Sequence, residues 1–556
     1  MKIIIPMSGI GKRFIDSNYK EPKPLIIVED KPIIEHIIRL FQNENNNDCE
    51  NDFVFIINNI HEETTNIKYI LSALVPNCKI YTVDVKNNAG PVQAVIQIAE
   101  QEINDMDEDI IISYCDYSMK WDYNNFINHI KDNKPDGCIL YYTGFHPHML
   151  HNDNYAFIKH GDCENFEEIQ EKKAYTDNKM SEYTSNGTYY FKNGFILKKY
   201  FQRLINENNR INNEFYVSMV YNLMKKDNLY VTLFPIQKML QWGVPRDLEE
   251  YLVWSTYFNK RDIDFIKSYS NDDLNDDLNE LNISYSKMTR RNSIKSYTEK
   301  NNSTLIIPMA GAGSRFTMAN YNVPKPLLPI EGKPMFIKAI LDLPPSSNII
   351  LVCQSSHCKE YDIENIVKTY IPNKCNIHKI NYITNGQATT CEIALQNYDI
   401  PLNKSLIISA CDNGIYYKME EYIKLVNNPK IDVIVFSFSN NSTSKLYPHM
   451  YAWLDVDENN MIKRVSIKKP FDDIENKYAI VGTMFFKKGQ YFMEGLRHIY
   501  DNNLKTNNEY YVDNLIEPLV NMGYKCSIFN VDNYLCWGTP NDYQTYNYWF
   551  EYFCVK

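Results

Sequence analysis

The chain has 556 residues, 44% of them hydrophobic and 23% charged, ordinary globular proportions that exclude wholesale disorder and allow about two to four domains. Its 58 Lys and Arg against 69 Asp and Glu leave a net charge of −11, which argues against a dedicated binder of nucleic acid or of an anionic membrane surface. No apolar run approaches a membrane span, and 13 cysteines without a Cys-x-x-Cys pair fit reduced thiols in a cytoplasmic compartment.

Taken in chain order, the first predicted strand is Ile3–Ile5, which runs straight into a loop carrying Gly9, Gly11 and Arg13. About ten residues later Lys23 stands between Pro22 and Pro24. Helical spacing of Ile34, Ile37, Ile38 and Phe41 follows Pro32, and further buried strands are expected at Phe53–Ile57 and Ile110–Ile112, the latter just before Asp116. Strand and helix in alternation predict an α/β fold of Rossmann-like type, a mostly parallel sheet with helices on both faces.

The same text is then written a second time. IIIPMSGIGKRF at 3–14 is answered by LIIPMAGAGSRF at 305–316, and EPKPL at 21–25 by VPKPL at 323–327. YCDYS around Asp116 returns as ACDNG around Asp412, NGTYYFKNG (186–194) as VGTMFFKKG (481–489), and NNEFYV (212–217) as NNEYYV (507–512). QWGVPRD at 241–247 is matched by CWGTPND at 536–542. A period near 300 residues is a domain duplication rather than a solenoid. The expected organisation is a first copy at 1–257, a connector at 258–302 and a second copy at 303–556. The connector holds NDDLNDDLNE (271–280) and TRRNSIKS (289–296), read as a solvated linker with some helix. Second-copy strands are expected at Leu305–Ile307, Ile349–Val352 and Leu406–Ile408.

Glycines directly after a strand let backbone N–H groups approach an anion, and a nearby cation can neutralise phosphate charge. The loop alone is weak evidence, since a tight turn beside an incidental arginine has the same composition. The dinucleotide fingerprint lacks its third glycine, where Phe14 and Phe316 stand, and no Gly-Lys-Ser/Thr closes a Walker loop. Lys23 and Lys325 carry the argument further. Flanking prolines stiffen the turn, so each ammonium is aimed at low entropic cost, and a positioned cation beside a glycine cradle suits a polyphosphate whose charge shifts during reaction.

Gly-x-Gly-x-Arg-Phe followed by Pro-Lys-Pro-Leu, present twice, resembles the sugar-phosphate nucleotidylyltransferases, the nucleotide-sugar pyrophosphorylases. That resemblance implies two tandem glycosyltransferase-A-type domains. It implies Mg²⁺-dependent transfer of NMP from an NTP (UTP, CTP or dTTP) to a sugar 1-phosphate or similar phosphate, with release of pyrophosphate. Arg13, Lys23, Arg315 and Lys325 would be catalytic, Asp116 and Asp412 would hold the metal, and Gly9, Gly11, Gly311 and Gly313 would cradle the nucleotide. Gly90 with Gln93, and Gly386 with Gln387, resemble the base-recognition loop. Glu171, Lys172, Gly187 and Glu214 in the first copy, and Lys469, Gly482 and Glu509 in the second, resemble the acceptor site. No nucleic acid or membrane partner is implied, and a homo-oligomer stays open.

Departures from that pattern are equally legible. Gln241 and Cys536 hold places where the family often has a second metal aspartate, with Asp247 and Asp542 close by in sequence. Lys468-Lys469 stands against Glu171-Lys172, and Asp513 against Ser218. The acceptor oxygen is already anionic, so the chemistry needs charge neutralisation and positioning but no general base or covalent nucleophile. Cys115 and Cys411 read as small buried strand-end residues, and the histidines of FHPHM (145–149) as pocket-loop or packing residues. Two competing readings stay open: one copy is a non-catalytic binding module, or the acceptor is a non-sugar alcohol phosphate with CTP as donor.

Overall fold

The computed structural model describes residues 1–42, 51–87, 89–103, 108–162, 165–267, 303–371, 374–439, 441, 444 and 447–555. The chain divides into two compact units, Met1–Thr256 and Tyr257–Lys556. A helix, Pro245–Lys267, runs into the segment expected as a connector. The stretches 271–280 and 289–296 lie outside the described residues.

In the first unit strand Lys2–Pro6 is central, pairing in parallel with Asp52–Asn58 on one side and Ile110–Ser113 on the other; Lys79–Val83 extends the parallel edge. Each of these runs is rich in Ile, Val and Phe, and Lys2–Pro6 is buried along its whole length, as a strand covered on both faces must be. Beyond Ile110–Ser113 the direction reverses. Strand Tyr183–Phe191 runs antiparallel to it and to Gly137–Tyr142, which in turn pairs in parallel with Val231–Pro235. The result is a nine-stranded, mostly parallel sheet, as the alternating pattern predicts, with Tyr183–Phe191 and the edge strand Phe166–Glu171, which pairs antiparallel with Ala156–His160, running against the others.

The second unit repeats this arrangement. Thr304–Met309 pairs in parallel with Asn348–Gln354 and Leu406–Ile408, while Tyr478–Phe486 is the reversed strand. Successive residues of Thr304–Met309 feed two separate cores. Leu305, Ile307 and Met309 pack into one, and Ile306 into the other, the period-2 signature of a sheet sandwiched between layers. Among the described residues no helix is long and apolar enough to cross a membrane.

Candidate active site

The central strand of each unit ends in the glycine loop, and the loop ends in a short helix, Lys12–Asp16 or Ser314–Met318. Gly11 and Gly313 precede these helices at φ 69° and 62°, the left-handed region where a side chain is strained. Gly9 and Gly311 face open space, with nothing within 4 Å of where a Cβ would stand. Arg13 and Arg315 are exposed on the short helices, while Phe14 and Phe316 are buried and anchor them.

The Pro-Lys-Pro segments form single tight turns, Lys23–Leu25 and Lys325–Leu327, with Pro24 and Pro326 buried. Each turn holds its lysine toward the aspartate that follows the strand. Lys23 Nζ donates to Asp116 Oδ2 at 3.0 Å, and Lys325 Nζ to Asp412 Oδ2 at 2.7 Å. Burial works against charge on both ammoniums, but the facing carboxylate overrides it and raises their pKa. Burial likewise pushes Asp412 up, yet Lys325, helped by Arg315, holds it below the usual carboxylate range. The backbone locks the aspartates too, since Trp242 N–H donates to Asp116 O and Trp537 N–H to Asp412 O, both at 3.0 Å. Burial pushes the neighbouring thiols Cys115 and Cys411 up to about 12. They stay protonated at neutral pH and are poor nucleophiles.

These groups open onto a cavity of about 460 Å³ in the first unit. Gly9, Gly11, Arg13, Lys23, Asp116, Glu171, Lys172, Gly187 and Glu214 all line it, so one space gathers residues more than 200 positions apart in sequence. Tyr183–Phe191 supplies the far wall. Its register with Gly137–Tyr142 slips between Ser185 and Tyr189, and Gly187 sits inside the slip at φ 93°. A methyl group there would meet the Tyr114 ring at 2.9 Å. Lys172 Nζ donates to Tyr216 Oη at 2.6 Å, and that hydroxyl donates to Glu214. Glu171, raised by burial, accepts from the Ser218 hydroxyl. Tyr216 and Tyr155 also line this cavity; their only sequence signal was proximity to the repeated motifs.

Gly90 and Gln93 do not line the cavity. Gly90 begins helix Pro91–Glu102 pressed on the Phe215 backbone, where a Cβ would approach the Phe215 nitrogen to 2.9 Å. Gly386 stands likewise before helix Gln387–Asn397, and there a methyl group would lie 2.6 Å from both the nitrogen and the oxygen of Tyr510. Close packing of two backbones is therefore a sufficient reason for glycine at both positions.

One expectation is corrected. Lys469 is not the counterpart of Lys172. Lys172 takes a left-handed conformation, φ 60°, and its N–H donates to Tyr155 O at 2.7 Å; Lys468 does the same, φ 58°, with its N–H on Tyr451 O at 3.1 Å. Strand pairing agrees, since Glu171 lies opposite Ala156 and Ile467 opposite Ala452. Lys469 is exposed, one residue past the turn. Lys468 is the residue close to Arg315 and Asp513, and burial lowers its pKa.

A magnesium ion would be held by little of this protein's own substance. Asp116 Oδ2 and Gln241 Nε2 both crowd Gly243, at 2.9 and 3.0 Å from a Cβ there, so the two side chains flank one point. The Gln241 atom there is the amide nitrogen, a donor and no ligand for Mg²⁺, so Asp116 is the one protein oxygen ligand and the remaining places suit waters and phosphate oxygens. In the second unit Cys536 replaces the amide. Its thiol, pushed far up by burial, donates to Asp542 at 3.4 Å, and Asp542 also accepts from Thr539 at 2.6 Å as part of a helix cap. Asp412 alone remains. Asp247 does line the first cavity, and burial, with Glu250, pushes it up to about 7. Among the described residues no group of three or more His, Cys, Asp or Glu is arranged to hold a metal.

Comparison with known proteins gives one family match. Residues 2–248 match the family model described as Nucleotidyl transferase. The fold is similar to that of the nucleoside-diphosphate-sugar pyrophosphorylase from Vibrio cholerae, at 18% identity over 45% of this chain and 99% of that one, TM-score 0.36. It is also similar to the inositol-1-phosphate CTP transferase from T. maritima, at 14% identity over 45% of this chain and 97% of that one, TM-score 0.35. No curated protein matches the chain.

Proposed function

We propose that the chain is a tandem nucleotidyltransferase, each half moving NMP from an NTP to an acceptor phosphate with release of pyrophosphate, a reading supported by the match of residues 2–248 to the Nucleotidyl transferase family model. The observation that carries this is the duplicated lysine–aspartate pair, 3.0 Å in one half and 2.7 Å in the other, set beside a glycine loop of the same left-handed geometry. In the first half the acceptor is a sugar 1-phosphate or a close relative. Glu171 takes its hydroxyls, and Lys172, steadied by Tyr216, takes its phosphate.

In this mechanism the loop at Gly9–Gly11 admits the triphosphate without side-chain obstruction, and Arg13 neutralises the departing pyrophosphate. Lys23 exchanges part of its bond to Asp116 for the α-phosphate, where charge builds in the transition state. Lys172 holds the attacking phosphate in line. Base choice is assigned to the helix starts at Gly90–Gln93 and Gly386–Gln387 on their resemblance to the family's base-recognition loop. Mg²⁺, held by Asp116 in the first half and by Asp412 in the second, would supply Lewis-acid charge neutralisation at the phosphates.

Pyrophosphate release by the full chain, measured across NTPs and acceptor phosphates, tests the reading. Lys23→Ala and Lys325→Ala are each expected to remove one half's share of turnover, and the double variant to lose at least about 10²-fold overall, as when a transition-state donor is deleted. A double variant of unaltered thermal stability that still releases pyrophosphate at the wild-type rate overturns the assignment.

A further inference from the structure

Residues that line the first unit's cavity are replaced by apolar ones at the matching places of the second unit, where Asn413 stands beside Gly482. Where the first unit has Tyr114, Glu171, Ser185, Asn186 and Tyr189, the second has Ala410, Ile467, Ile480, Val481 and Met484. Strand pairing fixes these equivalences: Ser185 and Tyr189 flank a register slip opposite Tyr141 and Ile139, and Ile480 and Met484 flank the same slip opposite Ser437 and Val435. The second unit thus gives up five polar side chains around its pocket glycine. It also gains room. At Gly187 the Tyr114 ring stands 2.9 Å from a Cβ position, whereas at Gly482 the nearest atoms, of Ala410 and Asn413, are 3.8 Å away.

A single carboxylate returns, from another element. Ser218, which donates to Glu171 in the first unit, corresponds to Asp513, the residue that follows the repeated NNEYYV at 507–512. The charge of Lys468 acts on it, and no hydrogen-bond donor contacts the Asp513 carboxylate among the described residues. Glu171 has its donor within the protein; among the described residues Asp513 has none.

We propose that the second half takes a different acceptor from the first: a phosphomonoester on a sparsely hydroxylated skeleton, its phosphate held by Lys468 and its one hydrogen-bond donor, a hydroxyl or an ammonium, received by Asp513. This rests on nucleotidyl transfer as the activity of the site. The physical reason is that a polyhydroxylated sugar loses water on entering an apolar wall and regains no partners there. A site that leaves such groups unpaired discriminates by about 10²-fold or more. Burial pushes Asp513 up to about 6 while Lys468 pulls it back, so at neutral pH the carboxylate is ionised and only accepts.

The test uses the full chain with the first half silenced by Lys23→Ala, and pyrophosphate release as readout. 2-Aminoethyl phosphate, 2-hydroxyethyl phosphate and a hexose 1-phosphate are compared, and the expected result is a kcat/KM for one of the first two at least about 10²-fold above the hexose. The Lys325→Ala chain should show the reverse order. Asp513→Ser, the residue that the first unit carries at this place, should raise KM for the preferred acceptor about tenfold or more and leave KM for NTP unchanged. A hexose preference in the Lys23→Ala chain, or an Asp513→Ser chain of normal melting temperature with unchanged acceptor KM, overturns the inference while leaving nucleotidyl transfer intact. Absence of pyrophosphate release by the wild-type chain with every acceptor would overturn the activity itself, and this inference with it.

Discussion

At Gly386 a methyl group would stand 2.6 Å from both the nitrogen and the oxygen of Tyr510, on a backbone at φ 123°. Neither atom can yield, because the Tyr510 N–H donates to Asn385 O at 2.8 Å and its carbonyl accepts from Ala388 N–H at 2.9 Å. Gly386→Ala is therefore expected to destabilise its unit by about 3 kcal/mol or more, combining backbone strain with overpacking; a thermal or urea melt measures it. Gly9→Ala makes the opposite prediction. With nothing within 4 Å of its Cβ position, it should leave the melt within about 0.5 kcal/mol. If the loop admits the triphosphate, the same variant should weaken NTP binding in calorimetry. Glycine thus serves two purposes in one chain, and measuring stability and ligand affinity side by side separates them.

At the scale of single elements, the turn after the first-unit strand Gly137–Tyr142 shows how burial sets a pH limit. His146 and His148 are 3% and 5% exposed. His148 shares a hydrogen bond with Tyr142 at 3.1 Å, and the Tyr155 hydroxyl donates to the His148 carbonyl at 3.1 Å. Burial lowers His146 to about 4 and holds His148 well below its ordinary value. Both rings are neutral in the folded chain at pH 7, and the unfolded chain binds the extra protons first. Stability is thus fully present above about pH 6.5 and is lost as pH falls toward 4, by about 3 kcal/mol for His146 alone. A urea midpoint that falls steadily between pH 6.5 and 4.5, and falls less in His146→Gln, checks this. The prediction belongs to the first unit, since His449 of the second lies in a turn with no buried residues, and it answers the sequence ambiguity in favour of packing for His146 and His148.

At the scale of the molecule, three hydrophobic cores among the described residues each draw on a single unit: one on residues 4–233, and two on residues 305–531 and 306–528. Each half has enough buried apolar surface to fold alone, so fragments 1–267 and 303–556 are expected to melt cooperatively when expressed separately, as followed by circular dichroism; a fragment without a cooperative transition would show that it needs its neighbour. Duplication, the alternation of strand and helix, the loop glycines and the proline-flanked lysines were all legible in the sequence itself. The cause is local: apolar period, φ > 0 at glycine and φ fixed at proline are set by a residue and its immediate neighbours. Tertiary structure alone decided what depends on distant segments. Lys23 meets Asp116 across 93 residues, Tyr183–Phe191 enters the sheet antiparallel, and Lys468 rather than Lys469 takes the place of Lys172. That last outcome turns on one residue of register, which text alignment leaves free but strand pairing cannot, because successive side chains of a strand point to opposite faces.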